Sequence, residues 1–325
     1  MTSTPSAPLV CVIVLNLNGR QHLEYSLPSI CATDYANLRI LVVDNDSSDD
    51  SRQLVLNFPV ELLVSPVNLG WSGGNNLGIR RAMEVGASYV VLANNDIKVH
   101  SRWVAEAVRL AEAEPGIAVV GFDVHEPNPG DSDRDAGFTR ACEEWRQPRL
   151  GRPTFVGGMA MFVRIRAFEE LGLIDENFFV YGEENDFQIR ARRAGYHVAS
   201  VDVPVWHFGQ GFFGTTSMRA SLLQTQNNIQ LLIKHESMRQ LLKSAVSHVW
   251  RRCVGHGHDR ASSSVERRLQ GTSKSYALLV LLLAAGRIAL QAPAILRRRA
   301  EDGRRIEAAR TKHLMDRVTS GFPTA

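Results

Sequence analysis

Leu9–Leu15 is an unbroken apolar run rich in β-branched residues, the pattern of a strand buried on both faces. Leu23, Leu27 and Ile30 follow at helical spacing, and Leu38–Val43 reads as a second buried strand. The alternation continues with a helix over Ser51–Phe58, a strand over Val60–Ser65 and a helix over Gly74–Val85. Tyr89–Ala93 gives a fourth strand, Ser101–Glu114 an amphipathic helix, and Ala118–Gly121 a fifth strand. This βαβα order predicts an α/β fold, with a mostly parallel sheet flanked by helices.

The rhythm breaks over residues 122–153, a polar stretch with Pro127, Pro129 and Gly130 that reads as a long loop of functional length. Strand character returns at Phe155–Ile165, where Gly157-Gly158 permit close backbone approach. Phe168–Leu171 and Glu184–Ala194 look helical, with a short strand at His197–Val201. Ser217–Lys243 predicts an amphipathic helix. The expected organisation is a lead-in at 1–8, a catalytic domain at 9–215 with halves 9–121 and 122–215, and a helical basic C-terminal region at 216–325.

At 325 residues and 44% apolar, the chain can bury a full core. Its charge is split: residues 251–325 hold 15 Lys/Arg against 6 Asp/Glu, and the first 250 hold 22 against 28. An acidic body with a basic tail points to an anionic partner for the tail. Cys11, Cys31, Cys142 and Cys253 lack metal-ligand spacing and read as reduced structural thiols of a cytosolic protein. The N-terminus lacks the basic and apolar regions of a signal peptide.

In an open parallel sheet, ligands bind beyond the carboxyl ends of the strands. There the chain places Asn16, Asn18 and Gly19, then Asp44, Asn45, Asp46 and Ser47, then Pro66, Asn68 and Gly70, and lastly Asn94, Asn95 and Asp96. One such cluster is ordinary turn chemistry; four on one edge indicate a site. Asp44 mimics the ribose-binding acid of a dinucleotide fold, but Leu15-Asn16-Leu17-Asn18-Gly19-Arg20 has a single glycine and no pyrophosphate cradle. No Gly-Lys-Ser/Thr phosphate loop occurs either. If phosphates bind, a divalent cation held by Asp96 is the economical neutraliser. A second acidic site, Tyr181-Gly182-Glu183-Glu184-Asn185-Asp186, packs three carboxylates into four positions beside aromatics. Such clusters hold cations or supply a general base, although acids also favour the first turn of a helix.

Six motifs, in order, resemble the family 2 inverting glycosyltransferases with the GT-A (Rossmann-like) fold, especially their rhamnosyltransferase-like branch, across residues 8–235. They are Val-Ile-Val-Leu-Asn-Leu-Asn (12–18), Val-Val-Asp-Asn-Asp-Ser-Ser-Asp (42–49), Asn-Leu-Gly-Trp-Ser-Gly-Gly-Asn-Asn-Leu-Gly-Ile (68–79), Leu-Ala-Asn-Asn-Asp (92–96), Gly-Gly-Met-Ala-Met-Phe-Val-Arg (157–164) and Ile-Asp-Glu-Asn-Phe-Phe-Val-Tyr-Gly-Glu-Glu-Asn-Asp (174–186). The resemblance implies that Asp44 contacts the donor's base, with Asn18, Asp46, Asn68, Gly74, Asn75, Asn95 and Gly158 completing the donor site. Asp96 closes a metal motif usually written Asp-x-Asp, whose first position here is Asn94. His207, in Val-Trp-His-Phe-Gly, matches a histidine that completes the site for Mg²⁺ or Mn²⁺. The acidic motif usually reads Glu-Asp-x-Asp, and its second acid is the base. Here that position is Glu184, one methylene longer, with Glu183 and Asp186 as alternative bases. The implied reaction is inverting transfer from a nucleotide-sugar donor, dTDP-rhamnose or a UDP-sugar, to a hydroxyl of a glycan or lipid-linked acceptor. A catalytically silent sugar-nucleotide-binding protein is the competing reading, because Asn94 and Glu184 both depart from the usual motif. A nucleotidyltransferase ranks third, because only Arg20 offers a triphosphate contact near the first strand.

Tyr276–Leu296 is rich in Leu and Ala but interrupted by Gly286, Arg287, Gln291 and Pro293. Its uninterrupted piece, Ala277–Ala285, falls short of the ~20 residues that span a bilayer. With Arg297-Arg298-Arg299 and Arg304-Arg305 alongside, it predicts an interfacial helix on an anionic membrane surface, placing the protein peripherally on the cytoplasmic face of the membrane. The competing reading packs this helix on the catalytic domain or on a second copy in a homodimer. Nucleic acid is not expected as a partner, since aromatics are not interleaved with the arginines.

Overall fold

The computed structural model describes residues 7–126, 136–209, 217–237, 239–240 and 274–319. Its strands are β1 (Val10–Asn16), β2 (Leu38–Asn45), β3 (Glu61–Ser65), β4 (Tyr89–Asn94), β5 (Ile97–Val99), β6 (Ile117–His125), β7 (Leu150–Gly151), β8 (Ala160–Arg164) and β9 (His197–His207). The helices are α1 (Arg20–Cys31), α2 (Ser51–Val55), α3 (Gly70–Glu84), α4 (Trp103–Ala113), α5 (Ala136–Glu144), α6 (Ile165–Leu171), α7 (Glu183–Arg193) and α8 (Met218–His235), and a final 46-residue helix α9 (Lys274–Thr319).

One sheet runs in the order β3-β2-β1-β4-β8-β6-β9-β5, with β7 against β9. Strands β1 to β4 pair in parallel, as do β6 and β9, and antiparallel β8 joins the two groups. The double-sided burial expected of β1 follows from its alternation. Val10, Val12 and Val14 pack with Leu23, Leu27 and Ile30 of α1 and Val104 of α4 on one face, and Cys11 and Ile13 with Ile79 of α3 on the other. Burying each Val and Ile side chain of that strand contributes about 1.5–3 kcal/mol. Cys11 is enclosed, and desolvation pushes its thiol up to about 11, consistent with an inert packing role. Cys31 and Cys142 are unpaired among the described residues, and Cys253 lies outside them.

Several expected boundaries shift. The loop expected over 122–153 is shorter, because β6 runs on to His125, and α5 and β7 occupy part of the remainder. Gly157-Gly158 precede β8 rather than opening it, and β9 extends to His207 instead of ending near Val201. The apolar segment near 276–296 does not stop at its interruptions: Gly286, Arg287 and Pro293 all lie inside α9. Over Ser275–Asp316 this helix is long and apolar enough to cross a membrane by length and composition. Its inner side is nevertheless occupied. Ala277, Val280, Ala284, Ile288 and Ile295 are buried, and Ile306 and Ala309 join the core beside α6 and α7.

Candidate active site

The carboxyl ends of β1, β2 and β4 are tied together by side chains. Asn16, fully buried, donates from Nδ2 to Ser47 Oγ at 3.2 Å and accepts from Asn95 Nδ2 at 2.8 Å. Asn18 adopts a left-handed φ of 49° and accepts the backbone N–H of Ser48 at 2.7 Å. Asn45 donates to Asn68 Oδ1 at 3.2 Å and to the Gly70 carbonyl at 3.0 Å, anchoring the start of α3. These contacts form one wall of a cleft of about 710 Å³, within the range of small-ligand sites.

Asp96 and His207 face each other in this cleft, with Asp96 Oδ1 3.4 Å from His207 Nε2. The other imidazole nitrogen, Nδ1, lies 3.0 Å from Glu126. A carboxylate on Nδ1 leaves Nε2 turned toward Asp96, an arrangement that orients metal-binding histidines. Burial opposes the charged form of both residues. For His207, Asp96 and Glu126 outweigh it and its pKa stands above the usual value. For Asp96, the contact with His207 outweighs it in the opposite sense and the carboxyl is lowered. Ligand atoms on a Mg²⁺ at about 2.1 Å in cis octahedral positions are about 3 Å apart, so an Asp96–His207 pair fits a cation. The charge of the lining points the same way. It carries Asp96, Glu126, Glu183 and Glu184, and no Lys or Arg among the described residues. Asn94 Oδ1 accepts the Trp71 indole N–H at 3.2 Å.

The opposite wall is the turn from Phe178 to Gly182 and the start of α7. Phe179 (φ 61°) and Tyr181 (φ 76°) hold left-handed backbone, each costing about 1–3 kcal/mol unless its surroundings enforce it. Two elements do. The Phe179 carbonyl accepts from Trp71 N at 2.7 Å and Ser72 N at 3.2 Å at the start of α3. Asn227 of α8 donates from Nδ2 to the carbonyls of Phe178, Val180 and Tyr181 at 2.7–2.8 Å. Glu184 emerges from this turn half-buried, its carboxylate accepting from Gly182 N at 3.1 Å and Asn185 Nδ2 at 3.0 Å. Burial raises its pKa against those bonds. Glu183 is buried, and one of its oxygens has no partner among the described residues. Burial and then the charge of Glu184 push it well above the ordinary value. Gly158 closes this side; a Cβ there would lie 3.2 Å from the Trp71 ring and 3.5 Å from Glu184 Cβ.

Of the residues expected from sequence, Asn18, Asn68, Asn95, Asp96, Gly158, Glu183, Glu184 and His207 line this one cleft. Five others do not. Asp186 is fully buried behind α7, bound to Arg190 at 2.9 Å, Lys234 at 2.7 Å and His235 at 2.8 Å. Those cations overcome its burial and hold its carboxyl below the usual carboxylate range. Asp44 is buried beneath the cleft, accepting from Arg52 Nε at 2.8 Å and Ser47 N at 3.1 Å. Asp46 (φ 73°) is exposed on the turn beside it. Gly74 packs against Leu15, and Asn75 donates to the Trp71 carbonyl at 2.9 Å. Sequence reasoning missed His22, Glu126 and Asn227. Glu126 and Asn227 act through contacts 81 and 46–49 positions away, for which the chain carries no local signal.

Asp175, Asp186 and Asp302 also converge, within 4.8 Å of one another. Lys234 Nζ already fills their centre at 2.6, 2.7 and 2.9 Å, so the cation of this cluster is an ammonium.

Residues 11–172 match the family model described as glycosyl transferase family 2. Over 202 residues the chain is 30% identical to the low-salt glycan biosynthesis hexosyltransferase Agl10 of Haloferax volcanii. That match covers 59% of this chain and 64% of the archaeal one, so the chain spans under two thirds of this relative's length. It is 26% identical over 225 residues to an N-acetylglucosaminyl-diphospho-decaprenol L-rhamnosyltransferase of Mycobacterium tuberculosis, covering 59% of this chain and 73% of that one. Among solved structures, the mannosyltransferase PcManGT from Pyrobaculum calidifontis, in complex with GDP-Man and Mn²⁺, superposes with a TM-score of 0.53 at 16% identity. That superposition covers 96% of this chain and 88% of the other, a likeness of fold.

Proposed function

We infer, for a chain that carries a glycosyl transferase family 2 domain in the GT-A fold, that it is an inverting glycosyltransferase using a nucleotide-diphosphate sugar. The observation that carries this reading is the cleft itself. An Asp96–His207 pair lies on one wall, Glu184 on the other, and no Lys or Arg among the described lining residues could neutralise a pyrophosphate. Asp96 and His207 would hold a divalent cation, Mg²⁺ or Mn²⁺, which supplies Lewis-acid stabilisation of the leaving diphosphate. Asn18, Asn68 and Asn95 present amides to the donor. Glu184 takes the proton of an acceptor hydroxyl as that oxygen attacks the anomeric carbon from the face opposite the leaving group, which inverts the configuration. Its elevated pKa makes it a stronger base than an ordinary carboxylate. Glu183 beside it is buried, and burial followed by the charge of Glu184 raises its carboxyl above the ordinary value.

The rhamnosyl relative favours dTDP-rhamnose as donor and a lipid-linked acceptor, with a UDP-sugar as the alternative. Such an acceptor suits attachment of α9 to the cytoplasmic face of an anionic membrane. One side of α9 is packed on the domain, while Leu278, Leu279, Leu282 and Leu283 stay exposed, which favours lying on the surface over crossing it.

Glu184→Gln tests the reading. Turnover should fall by about 10²–10⁴-fold, with donor binding unchanged in a thermal-shift assay against dTDP- and UDP-sugars with Mn²⁺. Asp96→Asn should instead abolish the metal-dependent part of that shift. Unchanged turnover in Glu184→Gln would remove the base assignment. A donor-dependent shift with no turnover in the parent protein would favour the silent binding reading.

A further inference from the structure

A second cavity, of about 270 Å³, lies between the aromatic turn, α8 and α9. Phe179 lines both this groove and the candidate active cleft, so a single side chain lies between the two. Its walls are Phe179, Leu223 of α8 and Leu290 of α9. Arg287, one helical turn before Leu290, stands at its edge and has no hydrogen-bond or ion-pair partner among the described residues. Deeper in, Gln226 is 4% exposed and donates to Gln291 Oε1 at 2.9 Å, while its own oxygen has no partner among the described residues. Amide orientation is interchangeable in such a pair. Turned over, it offers the groove an unpaired N–H₂, a donor for a phosphate oxygen.

An apolar slot one side chain away from the candidate active cleft, with a guanidinium unpaired among the described residues at its edge, selects an amphipathic ligand. The ligand needs an anionic head for Arg287 and a hydrocarbon for Leu223, Leu290 and Phe179. Resting on the glycosyltransferase reading above, we propose that this groove binds the phosphate-proximal isoprene units of a polyisoprenyl-phosphate-linked acceptor. The acceptor's sugar then reaches Glu184 over Phe179, and the remaining lipid follows α9. At about 270 Å³ the groove holds the first units of such a chain and not its whole length.

The test is calorimetric titration of the full chain with farnesyl diphosphate, beside inorganic pyrophosphate and farnesol. Farnesyl diphosphate should bind at least tenfold tighter than either half alone. Arg287→Glu and Leu290→Asp, both at exposed positions, should each weaken it at least tenfold, while Leu279→Asp, exposed on the same helix outside the groove, should leave it unchanged. Equal loss in Leu279→Asp would mean non-specific adsorption to the helix and would overturn the proposal. So would binding that survives Arg287→Glu and vanishes with EDTA, which would put the diphosphate at the metal site. Nucleotide binding with Mn²⁺ is measured in the same proteins. If Arg287-dependent binding of farnesyl diphosphate occurs without any nucleotide binding, the groove stands and the glycosyltransferase reading falls. If nucleotide binds and farnesyl diphosphate does not, the groove is wrong and the glycosyltransferase reading is untouched.

Discussion

Glu183 and Glu184 are neighbours in sequence with different surroundings, and that difference can be measured. Both carboxyls are raised above 4.5, chiefly by burial. A base must be deprotonated to act, so transfer should be fully present above the elevated pKa of Glu184. It should fall as pH drops through that value, placing the acid limb of kcat/KM above pH 4.5. A limb at or below that value would contradict the assignment. Glu183 gives a stability effect of definite sign. Its folded pKa exceeds its unfolded one, so the folded state binds more protons in between, and stability falls as pH rises through that window. Each pH unit there is worth at most about 1.4 kcal/mol. Glu183→Gln removes this slope. Its Tm relative to that of the parent should therefore rise as pH increases above the ordinary carboxylate range, and a difference independent of pH would refute the buried-acid account. Both residues were legible from their motif. The place of Asp186 was not, although it lies in the same motif, because its partners Lys234 and His235 sit 48 and 49 positions later.

Those partners belong to three helices held by one buried ionic knot. Lys234 of α8 touches Asp175, Asp186 of α7 and Asp302 of α9, while Arg190 binds Asp186 and Arg298 approaches Asp302 at 3.4 Å. Charge pairs this deeply buried contribute little net stability, but removing one partner leaves unpaired charge and costs about 3–5 kcal/mol. Lys234→Met should lower the urea unfolding free energy by that amount. Arg310→Ala, at an exposed position of α9, should stay within about 0.5 kcal/mol of the parent. Equal effects would mean that the knot does not hold α9 to the domain. At this scale the early strands were readable because β1, β2 and β4 are continuous apolar runs paired in parallel. The true extents of β6 and β9, and the existence of β5 and β7, were not. Those strands complete the sheet through pairings between segments far apart in the chain, such as Ile97 with His207, and carry polar residues that look like loop. His207 reaches the cleft only because β9 runs that far.

On the scale of the whole molecule, α9 unites the basic tail and the apolar segment in one rod of about 69 Å, at 1.5 Å per residue. Its first half exposes Leu278, Leu279, Leu282, Leu283 and Leu290, and its second half carries Arg297, Arg299, Arg304 and Arg305. A leucine face inserted below the headgroups gains about 1.5–3 kcal/mol per side chain, and each arginine near an anionic surface adds about 1 kcal/mol. The protein should therefore co-sediment with vesicles containing phosphatidylglycerol, less with phosphatidylcholine alone, and progressively less as salt screens the arginines. Replacing Leu282 and Leu283 together by Asp should remove most of the bound fraction while leaving Tm unchanged, since both are exposed in the fold. Unchanged sedimentation would show that this face does not meet lipid. The apolar groove is built partly from Arg287 and Leu290 of the same helix, so the helix proposed to meet lipid also forms part of the proposed acceptor path. A membrane-bound α9 would then present the groove to molecules already anchored in the leaflet, and acceptor capture would become a search in two dimensions. Detaching α9 from vesicles should accordingly weaken transfer to a lipid-anchored acceptor far more than transfer to the same sugar on a short, water-soluble isoprenoid.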